Sequence, residues 1–130
     1  MLRHHFPGIG LEERRAQRML DGLEAEGESE VAIHWRLADD IRVLYRARAA
    51  MAAGSPLPMA LREARAWGPR ERWFERVLPG LAAPALASLV QDARIVDGIC
   101  KGLRTDGWPT QGWAALHRLA MQSCQMCRPR

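Results

Sequence analysis

The sequence predicts an all-α protein, a single bundle of about five to six helices. Apolar residues recur at i, i+3, i+4 and i+7 through most of the chain, the spacing of one face of a helix. Glycine and proline break this pattern at intervals of one helix length. No stretch alternates apolar and polar residues as a half-buried strand would, and no internal repeat is present. A helix content far above the ordinary third of residues suits a bundle.

The elements follow in order. Residues 1–10 read as irregular, and the pair His4-His5 as part of a leader, a linker or a cloning remnant. From Leu11 a first helix sets Ala16, Met19, Leu20 and Leu23 on one stripe and stops at Gly27. Ser29 offers an N-cap to a second helix, with Glu30 well placed against its positive start. Ile33, Leu37, Ile41, Leu44 and Met51 carry its stripe, with Ala38 and Tyr45 beside it, to about Ala53 and Gly54. This is the longest element, roughly 37 Å at 1.5 Å per residue. Arg36 with Asp40, and Asp39 with Arg42, are spaced to pair on its solvent side.

Pro56 and Pro58 open a third helix over Pro58 to Trp67, with Leu61 and Ala64 inward. Gly68-Pro69 breaks it, and a fourth helix follows on Phe74, Val77, Leu78 and Leu81, interrupted by Pro79-Gly80. A fifth starts near Pro84 and carries Leu86, Leu89, Val90, Ala93, Val96, Cys100 and Leu103. Thr105 to Pro109 form a loop by composition, and Thr110 is expected to cap a sixth helix striped by Trp113, Leu116, Ala120 and Cys124.

Composition narrows the function classes. A length of 130 residues suits one domain burying roughly two thirds of its unfolded surface. No run of about 18 apolar residues is present, so no membrane span is predicted. The first residues are interrupted by Arg3, His4, His5, Pro7 and Gly8 and do not read as a signal peptide, which points to the cytoplasm. Charge is uneven: residues 1–53 hold eight Arg against nine acids, and residues 54–130 hold eleven Lys and Arg against six acids, a balance of −1 against +5. A bias of this size permits contact with phosphates without requiring it.

Catalytic and cofactor chemistry has little to stand on. There is no G-x-x-x-x-G-K-[ST], no G-x-S-x-G and no H-E-x-x-H. Glu12-Glu13 and Asp39-Asp40 are adjacent on helices, where neighbours diverge by about 100°, so neither pair is expected to converge on one atom. His34 and His117 lie on helix faces and read as structural histidines rather than general bases. Cys124 and Cys127 form a C-x-x-C that His117 and Cys100 would have to complete as a zinc site; inside a helical pattern, buried thiols are the expectation. No catalytic residue, metal or cofactor is predicted.

Several segments, in order, resemble the C-terminal collar domain of the delta subunit of the bacterial DNA polymerase III clamp loader. Arg18 through Val31, with its Gly27-Glu28 turn, is similar to a helix and "Gly-Glu" turn of that family. Trp35 through Leu44 is similar to the long helix that follows, and Ala60 through Trp67 to the next piece. Asp97 through Gly102 is similar to the family's "D-x-x-x-K-G", after which a tryptophan precedes the final helix, as Trp113 does here. The likeness spans about Ala16 to Cys127; the loop between Lys101 and Trp113 is longer than the family pattern.

The resemblance implies a domain at 16–130, after a leader over 1–15, taken from the C-terminal part of a longer AAA+-type subunit. Such a domain joins the delta-prime and gamma/tau subunits in a closed collar during clamp loading in DNA replication. It is non-catalytic, meets the sliding clamp only through a region outside this chain, and comes near primed DNA in the assembled complex. Lys101 is then a candidate subunit contact, against the plainer reading of a pair with Asp97 four residues earlier. Arg104 and Trp108 are candidate DNA contacts, with Trp108 an exposed aromatic that stacks on a base; the other reading folds Trp108 back onto the last two helices. Trp67 and Trp113 are expected as core anchors. The alternative function is a helix-turn-helix DNA-binding regulator using the Gly68-Pro69 break, though Glu71 and Glu75 on the following helix would oppose a phosphate backbone.

Overall fold

A computed structural model describes residues 13–127, and in this range every regular element is helical. The helices are α1 (Glu13–Ala25), α2 (Glu30–Ala52), α3 (Leu57–Glu63), α4 (Arg70–Val77), α5 (Ala83–Cys100) and α6 (Gly112–Met126), with a 3-10 turn at Leu78–Gly80. The predicted six-helix bundle is what forms. Residues 13–15, placed in the leader from sequence, already belong to α1, and His4-His5 lies outside the described residues.

α2 is the spine. It packs against α3, α5 and α6, while α6 also packs on α1 and α5. Ile33, Leu37, Ile41 and Leu44 of its stripe are buried as the spacing predicts, and so are Leu20 and Leu23 of α1, Phe74 and Val77 of α4, and Leu86, Leu89 and Val96 of α5. Leu116, Leu119 and Ala120 bring α6 into the same core.

The helix ends explain the boundaries. Ser29 caps α2, its side-chain oxygen accepting from the Ala32 N–H at 3.3 Å. α1, α2, α3 and α5 all stop in the same way. The residue after the C-cap takes a positive φ, and the next N–H reaches back to the carbonyl five residues earlier: Glu28 to Leu23, Ser55 to Ala50, Ala66 to Leu61, Leu103 to Gly98. At three ends the positive-φ residue is Gly27, Gly54 or Gly102; at α3 it is Arg65, with φ 63°.

Four expectations are corrected. α3 ends at Glu63 instead of running to Trp67, because Arg65 has turned left-handed and the chain has left the helix. Leu103 is exposed instead of lining α5, since α5 closes at Lys101; it folds back over Gly98, where an added Cβ would lie 3.3 Å from its Cδ1. Thr110 is not the cap of α6: Gln111 holds that position and makes no side-chain bond. The Glu30 carboxylate lies against Gly112 instead, where any Cβ would overlap it, so an acid from α2 faces the positive end of α6. Trp113 falls within the first turn of α6, half-buried against the core, where the helical stripe placed it and not ahead of the helix as the family pattern has it.

Candidate functional site

The most constructed polar feature lies where α4 meets α2. Asp39 and Asp40, expected to diverge and to pair with Arg42 and Arg36, both bond to one nitrogen of Arg70. Arg70 Nη1 donates to Asp39 Oδ2 at 2.7 Å and to Asp40 Oδ1 at 2.8 Å. Divergence of neighbouring helical side chains does not keep them apart when a guanidinium from another helix lies between them. The other end of Arg70 donates to the Arg65 carbonyl at 3.1 Å, which ties down the left-handed residue. Asp40 is only 1 % exposed and its Oδ2 has no partner, so burial pushes its carboxyl up to about 6 despite the guanidinium beside it.

This clamp fixes the turn between α3 and α4, and the turn presents Trp67. Its indole is 63 % exposed, with the Arg65 guanidinium over the ring at 5.8 Å, so it is not the core anchor the sequence suggested. Arg46, Glu63, Arg65, Trp67 and Arg70 border a shallow depression there. Once α3 stops short of its expected end, Trp67 falls outside the helix whose spacing would have turned it inward.

The loop after α5 is arranged differently from expectation. Trp108 is half-buried and packs against the core, and the Arg118 guanidinium covers its ring at 3.9 Å while donating to the Gly107 carbonyl at 2.7 Å. The exposed stacking aromatic expected there is thus folded back onto α6. Arg104 is exposed, and so is Lys101, whose ammonium bonds to Asp97 Oδ2 at 2.9 Å in the i,i+4 pair that its spacing allowed.

Cys124 and Cys127 are buried and Cys100 is half-buried, with burial pushing their thiols up to about 11, about 12 and about 11. These are inert thiols packed in the bundle. Among the described residues, His117 groups with Asp21 and Glu24 rather than with the cysteines, its Nε2 lying 3.4 Å from Asp21 Oδ1.

A second groove runs between α2 and α5. Ala38 and Ala93, both buried, are among the residues lining a space of about 300 Å³ there. Arg42 lies on the α2 side, Arg94, Asp97 and Lys101 on the α5 side, and Trp35 at the edge with 66 % of its surface exposed. His34 also lines this space, only 2 % exposed, with Nδ1 unpartnered. Burial lowers its pKa from 6.5; among nearby charges Asp97 opposes this shift, whereas Arg42 and Lys101 reinforce it. Sequence reading singles out Arg42, Asp97 and Lys101 by spacing and His34 by type, but not the space they share, because a groove between two helices has no local signature.

Comparison with known proteins returned no match to a family model, to a curated protein or to a solved structure.

Proposed function

We propose that this chain is a collar-type assembly domain of a clamp-loader delta subunit. It acts as a non-catalytic helical scaffold that joins the delta-prime and gamma/tau subunits, with primed DNA close by in the assembled complex. The observation that carries this reading furthest is Trp67, an open indole on a turn held rigid by the Arg70 clamp. Tryptophan is the residue type most enriched where partners bind, and a fixed backbone spares it an ordering cost on binding.

The helix-turn-helix alternative is weaker on the same geometry. α4 has only eight residues, turns Arg70 inward to α2, and places Glu71 and Glu75 along an exposed depression. A recognition helix needs the reverse arrangement, with cations toward phosphate and polar side chains toward bases.

The test is assembly. The chain is mixed with purified delta-prime and gamma/tau subunits at tens of micromolar, a range equivalent to about 6–7 kcal/mol. Co-elution as one complex is the expected result. Separate elution from the intact subunits would sink the proposal. Trp67→Ala is expected to fold with an unchanged melting temperature and to lose about 2 kcal/mol either in subunit assembly or in the loader's affinity for primed DNA. A variant that is normal in both would return Trp67 to an idle surface residue.

A further inference from the structure

We propose that the groove between α2 and α5 binds the phosphate backbone of single-stranded DNA, with Arg42, Arg94 and Lys101 on phosphate and Trp35 against a base. The inference does not rest on the collar reading, since it uses a different face and would hold for any helical domain built this way.

The charges come first. Neither Arg42 nor Arg94 makes a hydrogen bond or ion pair with the described residues, and both are exposed on opposite sides of one space. Asp97 is the one acid lining it, and Lys101 already holds that carboxylate at 2.9 Å. The acid is therefore compensated while two guanidinium groups are not, which leaves the groove with net positive charge. Guanidinium groups on two walls match a phosphate, which accepts from both at once.

The interior of the groove adds a second, independent observation. His34 is buried among its lining residues with an unpartnered Nδ1, and an orphaned polar atom in such a place lacks the partner that buried groups almost always have. A water held by the phosphate can donate to this nitrogen, and a phosphate oxygen can accept from it once the imidazole takes up a proton. Trp35 completes the set. At the rim of a groove lined by cations, an open indole offers the flat face on which a base stacks, and a track of cations with an aromatic beside it is how single strands are held without sequence preference. A base-paired duplex keeps its bases stacked inside and would leave Trp35 without a partner.

The experiment uses the chain as it stands with a fluorescein-labelled oligo-dT of about 12 nucleotides, within the site size of one single-strand groove. Anisotropy is read at about 50 mM and about 200 mM salt, where binding to phosphates weakens steeply. Saturable binding is expected, together with quenching of tryptophan fluorescence that Trp35→Ala removes. Trp35→Ala should weaken binding by about tenfold. The double variant Arg42→Gln, Arg94→Gln should lower the salt slope by roughly 0.7 for each phosphate that the two guanidinium groups neutralise. Arg72→Gln on α4 removes one charge, half that of the double variant, away from the groove and should leave binding unchanged; circular dichroism confirms that the variants fold. In NMR titrations, bound oligonucleotide should raise the pKa of His34. Three results would overturn the proposal: no saturation at low salt, an equal loss with Arg72→Gln, or displacement of the oligonucleotide by poly-glutamate at the same charge concentration. The last would make the groove a seat for an acidic protein segment.

Discussion

At the scale of single residues, Arg70 does more than any other side chain to set the shape of the surface. It closes a short ionic cluster of one guanidinium, one fully buried carboxylate and one half-exposed carboxylate, and it ends on a backbone carbonyl. A buried ion pair gains little over an apolar pair of the same shape, because both charges leave water. Removing one partner is another matter. Arg70→Ala strands Asp40, only 1 % exposed, without its cation, and is expected to destabilise the fold by about 3–5 kcal/mol in urea titrations at neutral pH. The same variant should raise the Asp40 carboxyl further above its already raised value, since the guanidinium is what draws it down. A loss below about 1 kcal/mol, the size of a surface pair, would mean that the clamp is ornamental.

At the scale of elements, the ends of helices decide what faces outward. Arg65 occupies a position that glycine holds at three sibling ends, and a left-handed non-glycine residue is strained by about 1–2 kcal/mol. Arg65→Gly should relieve that strain, less the extra freedom of glycine in the unfolded chain, for a net gain of about 0.5–1 kcal/mol in urea unfolding. A loss of stability would show that the stacking of Arg65 over Trp67 outweighs the backbone strain. The same helix end marks the limit of what the sequence discloses. Periodicity locates all six helices and nearly all of the core, because burial of one face is a repeating and local property. Gly27 and Gly54 announce their ends by residue type. Arg65 does not, so spacing carries α3 on to Trp67 and turns that tryptophan inward, when it points to solvent. The clamp on Asp39 and Asp40 and the α2/α5 groove escape a sequence reading for a related reason. Their partners lie about thirty or more residues away in the chain, and only packing brings them together.

At the scale of the whole molecule, two ionisable groups buried on α2 give stability a pH dependence in which opposing slopes meet. Asp40 carries a carboxyl raised from 3.8 to about 6, first by burial. The folded state therefore holds that proton more tightly than the unfolded chain. Its contribution is complete below the ordinary carboxylate value and is lost as pH rises through about 6. The shift of about two units corresponds to roughly 3 kcal/mol. Asp92 on α5, also raised by burial, acts in the same direction. His34 runs the other way. Burial lowers its pKa from 6.5, so the folded state favours neutral imidazole, and its contribution is present above 6.5 and lost as pH falls through the lowered value. Acidification from neutral pH thus stabilises through Asp40 while it destabilises through His34, and the parent protein should show a shallow profile between these limits. The two slopes separate by substitution. Asp40→Asn keeps the shape and removes the titration, leaving His34 to make the protein lose stability between neutral pH and about pH 5. His34→Gln leaves Asp40 in charge, and the protein should gain stability over the same range. Urea unfolding at the two pH values reads both variants directly. Parallel profiles for the parent and Asp40→Asn would mean that water reaches the carboxylate and that the clamp beneath Trp67 is not closed.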